Sequence, residues 1–123
     1  MYELIAINPQ NGKLSIQIVM PDWQQGKLMV AYRFRLISDD DVTLLLSGDN
    51  QTSNIASQSL VDNYIGKMLA CDISTNTLPG YQANSAVQIQ IMQQNFLITH
   101  YTFSISPGSG NDRYRVDFTQ KLS

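Results

Sequence analysis

The chain has 123 residues, a formal net charge of −2 at pH 7, 43% hydrophobic residues and only 15% charged ones. That length suits one domain, spanning residues 1–123, with one core, and the apolar share excludes a disordered chain. The acidic balance, with a pI of about 5.0, disfavours nucleic acid as a partner, and a lone cysteine, Cys71, excludes an intramolecular disulfide and a Cys-rich zinc site.

The first predicted element is the short apolar run Tyr2 to Ile7. It carries an acid, Glu3, where a secretory signal would carry basic residues, so the sequence reads as a chain made in the cytoplasm, with any release by a non-Sec route. No stretch approaches the length of a membrane span. Asn11-Gly12 is a strong two-residue hairpin signal and is expected to join this strand to Lys13 to Val19, where Leu14, Ile16 and Ile18 share a face. Lys27 to Ile37 gives the clearest period of two: Leu28, Val30, Tyr32, Phe34 and Leu36 alternate with a set that includes Arg33 and Arg35.

After the acidic turn Asp39-Asp40-Asp41 comes a strand over Val42 to Ser47. The polar stretch 54–64 is expected to hold at most one short helix. Further strands are predicted over Ile65 to Ile73, Ala86 to Met92, Phe96 to Ile105 and Tyr114 to Phe118. About eight short strands with turn residues between them, and no crossover helices, predict an all-β antiparallel sandwich, with a closed barrel as the alternative.

Several groups are candidates for a site. All four arginines fall in Arg-x-Arg pairs, Arg33 with Arg35 and Arg113 with Arg115. Residues two apart on a strand share a face, so neighbouring strands would gather four guanidinium groups able to grip phosphate, sulfate or carboxylate. The competing expectation is surface ion pairing with Asp39, Asp40, Asp112 and Asp117. Trp23, Tyr64 and Tyr81 lie near turns, where aromatic rings serve as platforms for sugars or interfaces. Asp39, Asp41 and Asp49 could supply oxygens to a calcium ion if two loops meet; otherwise no cofactor is expected.

Catalysis is disfavoured by the inventory: one His, one Cys and one Glu. Cys71, among apolar neighbours, reads as a buried thiol, and His100 has no partner in sequence. A dyad of the two would need them to meet in space.

In general look, with an early Asn-containing hairpin and the late Gly108-Ser109-Gly110-Asn111 turn, the chain resembles small lectins and lipid-binding sandwiches of the aegerolysin type. The resemblance covers turns alone and carries over no functional residue. These readings together point to a non-catalytic binding protein for a glycan, a lipid head group or another ligand, held by loop aromatics and polar side chains. The alternative is a structural or protein-interaction component, such as a viral or phage assembly protein or a docking inhibitor, and sheet edges such as Ala86 to Met92 are candidates for homo-oligomer pairing.

Overall fold

The strands close on one continuous core in which every residue predicted to point inward does so. A computed structural model describes residues 1–60, 63–81 and 85–121. Among them are nine strands: β1 (Tyr2–Ile7), β2 (Leu14–Val19), β3 (Leu28–Ile37), β4 (Val42–Asp49), β5 (Ile55–Ser59), β6 (Met68–Thr77), β7 (Ala86–Gln93), β8 (Phe96–Ser104) and β9 (Ser109–Gln120). They form two separate sheets, a five-stranded one in the order β1-β9-β6-β3-β4 and a four-stranded one in the order β5-β2-β7-β8. The architecture is a β-sandwich and not a closed barrel. No helix among the described residues is long and apolar enough to cross a membrane.

The period of two decides which side chains enter the core. Leu14, Ile16 and Ile18 from β2, Val30 and Phe34 from β3, Val87, Ile89 and Ile91 from β7, and Val116 from β9 are all fully buried, so the facing sheets interdigitate as sandwich layers do. Tyr114 and Phe118 complete the β9 face. Tyr101 of β8 stacks on Tyr114, with ring centroids 4.9 Å apart and planes 11° from parallel.

Three local expectations change. Asn11-Gly12 does not form a hairpin, because β1 and β2 belong to different sheets. β1 instead runs parallel to β9, from Tyr2 beside Arg115 to Ile7 beside Gln120. The connection is a 3₁₀ turn at Pro9–Asn11, held by Gln93, whose buried amide donates to the Asn8 carbonyl at 2.8 Å and to the Gly12 carbonyl at 3.0 Å. Stretch 54–64 holds strand β5 along its first half, and positions 61–62 lie outside the described residues. Polar residues with poor helix propensity are stabilised there by pairing with β2, from Ser15 beside Ser59 to Val19 beside Ile55. Ala86 to Met92 is no edge, since β7 is paired on both sides, and the free edge beside it is β8.

One buried polar residue ties loops to the core. Asn50, 3% exposed, accepts from the Val30 amide at 2.9 Å and donates to the carbonyls of Pro21 at 3.1 Å and Leu28 at 3.0 Å. Each hydrogen-bonding group of its side chain therefore has a partner, as burial requires.

Candidate functional site

The outer face of the five-stranded sheet brings all four arginines together. β6 lies between β3 and β9, and the register sets Arg33 beside Asp72 and Asp72 beside Arg113, with Arg35 and Arg115 flanking Ala70 in the next row. The arginine strands are thus one strand apart, and the intervening strand supplies a carboxylate at the centre. Arg35 Nη2 donates to Asp72 Oδ2 at 3.0 Å, and Arg115 Nη2 to Asp72 Oδ1 at 2.9 Å. Arg115 Nη1 also donates to the Cys71 carbonyl at 3.1 Å.

The carboxylate that meets the arginines is none of those expected. Asp39 and Asp40 sit in the β3–β4 turn, where Asp40 accepts from the Ser38 hydroxyl. Asp112 faces the other way along β9, accepting from Tyr101 Oη at 3.0 Å. Asp117 accepts from Tyr2 Oη one row along the same face. Local pattern does not single out Asp72, because its role depends on cross-strand register between residues far apart in the chain. The signal available was an acid inside an otherwise apolar run, which places it on a strand face.

Burial acts to raise the Asp72 carboxyl, but hydrogen bonds and charge from Arg115 and then Arg35 outweigh it and hold the group below the ordinary carboxylate range. Asp72 therefore stays ionised. The four guanidinium groups outnumber the carboxylates of this face, Asp72 at its centre with Asp117 one row along and Asp49 beside Ala31, in a chain of net charge −2. Arg35 and Arg115 are the shielded members, at 29% and 21% side-chain exposure, whereas Arg113 is 78% exposed and reaches Asp72 only through Nε at 3.9 Å. Arg33 is exposed, and its side chain has no hydrogen bond or ion pair among the described residues. A shallow depression of about 330 Å³ beside it is lined by Ala31, Tyr32, Arg33, Arg35, Asp72 and Ser74. On the core side of β3, Tyr32 passes over Gly48 of β4, where a Cβ would come within 2.6 Å of the phenol oxygen, so glycine is required by the close approach.

The three aromatics do not converge. Tyr64 is 6% exposed and packs edge-on against Phe118 at 5.4 Å, which makes it a core residue. Tyr81 is half-buried and donates to the Ile105 carbonyl at the opposite end of the sandwich. Trp23 lies at that same end, its indole beside Gly26, next to Gln24 and Gln25, which both adopt left-handed backbone at φ 53° and 58°. The depression of about 430 Å³ there is lined by Pro21, Asp22, Gln24, Gln25, Lys27, Gly80 and Ser85, and neither ring forms its wall.

The acidic loops do not converge either. Asp39–Asp41 precede the first residue of β4, and Asp49 is its last, so a strand of roughly 20 Å separates them. Asp49 accepts from the Gln51 amide at 2.9 Å in its own turn. No group of three or more His, Cys, Asp or Glu side chains with metal-site spacing occurs among the described residues.

Cys71 and His100 lie apart. Cys71 faces the core of the five-stranded sheet, where burial pushes its thiol up, against the opposing charge of Arg115. His100 is exposed on β8 of the other sheet, paired with Gln90.

No family model matches the chain, and neither a curated protein nor a solved structure matches it.

Proposed function

We propose that the protein is a non-catalytic binding protein that receives an anionic group of a glycan or lipid head group on the outer face of its five-stranded sheet. The observation that carries this reading is the gathering of Arg33, Arg35, Arg113 and Arg115 around Asp72. Fixed guanidinium forks suit carboxylate, sulfate or phosphate oxygens. Asp72 holds the inner pair in place, and the outer pair retains its donors for a ligand. Separation of Cys71 from His100 supports the non-catalytic part, since a thiol buried in apolar surroundings is a poor nucleophile.

Titrating isotope-labelled protein with inorganic sulfate and with phosphate, followed by NMR, tests the reading. Shifts are expected at the arginine Nε–H groups and along the outer positions of β3, β6 and β9, with the four-stranded sheet unmoved. Silence on that face, or shifts confined to the loop end around Trp23, would overturn it.

A second reading, protein interaction through a sheet edge, is favoured by β8. This edge strand runs nine residues without Lys, Arg, Asp or Glu. Phe96, Leu97 and Ile98 are exposed on it at 76%, 49% and 39%. Sheet edges are commonly protected by charge, and here a bulge where Ile91 and Met92 pair with Thr99 and Leu97 stands in its place. Light scattering over a concentration series would show association that His100→Lys with Thr102→Lys abolishes; a monomer throughout would sink this reading.

A further inference from the structure

Resting on the anion-binding reading above, we infer that the site takes a linear polyanionic glycan, two of whose sulfate or carboxylate groups are held by Arg33 and Arg113 on opposite sides of Asp72. The division of labour among the arginines leads to this ligand class. Arg35 and Arg115 both spend donors on Asp72 and are the more shielded pair. Arg113 keeps its two terminal nitrogens free of ion pairs, and the Arg33 side chain has no hydrogen bond or ion pair among the described residues.

These two outer cations share one cross-strand row with Asp72 between them. Two strand spacings put their Cα atoms about 10 Å apart. A single small anion placed midway would lie over the Asp72 carboxylate and be repelled by it, so the row favours two anionic groups that straddle the acid. The depression beside Arg33 offers a seat for the first group, with the Ser74 hydroxyl on its wall. Ser47 continues the row on β4, and Asn111 stands beside Ser74 in the neighbouring row. Neutral hydroxyl and amide groups of this kind suit sugar hydroxyls between the charged substituents.

The surroundings favour a narrow chain over a planar anionic membrane. Asp117 borders the arginines on the same face, and the Asp39–Asp41 turn stands at the end of the same sheet, next to Ile37 and Val42. An anionic bilayer laid on the whole face would meet those carboxylates. A glycan running across the strands along the row meets only Asp72. Nucleic acid is a poorer fit, because two free cations neutralise too few phosphates for useful affinity in an acidic protein.

The test measures binding of a heparin-derived hexasaccharide by calorimetry at low and at physiological salt, beside inorganic sulfate, vesicles of phosphatidylcholine with phosphatidylserine, and single-stranded DNA. Wild type, Arg33→Gln, Arg113→Gln and the double variant are compared; both positions are exposed, so the fold is retained. The hexasaccharide is expected to bind far more tightly than sulfate, each single substitution to weaken it roughly tenfold, and the double to reduce it to the level of sulfate. Hexasaccharide binding no tighter than sulfate, while sulfate still binds at the arginines, would overturn the glycan inference and leave the anion-binding reading standing. Arginine-dependent binding to vesicles or DNA with none to the hexasaccharide would do the same. Failure of every anion, sulfate included, would remove both.

Discussion

The two outer faces of this sandwich are built on the same alternation and carry opposite chemistry. On the four-stranded sheet, the central outward rows read Ser57, Gln17, Gln90, His100 and Ile55, Val19, Gln88, Thr102. They contain no Lys, Arg, Asp or Glu. Their side chains bond along the surface, with Gln88 donating to Thr102 at 3.2 Å and Gln90 donating to Gln88. On the five-stranded sheet, all four arginines of the chain surround one aspartate. The lysines, by contrast, all lie outside the strands, at positions 13, 27, 67 and 121. Charge in this protein is therefore scarce and also sorted, and a sorted cationic face in an acidic chain is the kind of feature a ligand explains better than solubility does.

The comparison breaks hardest at Asp72. Asp72→Ala removes the one carboxylate that the shielded Arg35 and Arg115 bond, leaving two cations close together without compensation. Breaking a fully buried pair costs about 3–5 kcal/mol; with these side chains partly open to solvent, a loss of about 1–3 kcal/mol is expected, read from the urea midpoint. Gln90→Ala on the opposite face is expected to change stability by less than about 0.5 kcal/mol. Equal losses from the two substitutions would show that the faces do not differ in kind.

A smaller effect comes from pH. The Asp72 pKa is depressed in the folded protein by Arg115 and Arg35, whose pull exceeds the opposing effect of burial. A group of this sign contributes stability that is fully present above its unfolded pKa, about 3.9, and lost as pH falls through its lower folded value. Wild type is thus expected to lose on the order of 1 kcal/mol from this group below about pH 4. Denaturation of wild type and Asp72→Asn compared at pH 7 and at decreasing pH should show the gap between them narrowing. A constant gap would remove the carboxylate's charge from the account.

The fold was legible wherever one strand alone holds the information. Leu28 to Leu36 and Val87 to Ile91 announce their buried faces by alternation, because a sandwich strand has one dry side. The arginines were legible as two same-face pairs for the same reason. What local pattern cannot carry is which strand lies beside which: the placement of β6 between β3 and β9 chooses Asp72 as the shared partner, and the parallel docking of β1 on β9 cancels a hairpin that Asn11-Gly12 announces. The aromatic and acidic candidates are kept apart for the same reason. Tyr64 near a turn is a core residue because Phe118 comes to meet it, and Asp49 is separated from Asp39–Asp41 by the length of the strand between them.

The finest test of the difference between the faces is to copy the arginines without their setting. Gln88→Arg with Gln90→Arg places a same-face Arg-x-Arg pair on β7, at the spacing of Arg113 and Arg115, on a sheet whose central outward rows offer no carboxylate. Both positions are half-exposed, so stability is expected to stay within about 0.5 kcal/mol of wild type. If excess charge alone drew anions, this variant would bind sulfate at the new pair as well as at the old site. If Asp72 is what fixes the inner guanidinium groups and spaces the outer ones, the new pair stays mobile and pays side-chain entropy on binding. NMR titration should then show sulfate shifts on β3, β6 and β9 unchanged, with responses on β7 at least several-fold weaker. Equal responses on the two faces would reduce the native site to its charge count and leave its geometry without a role.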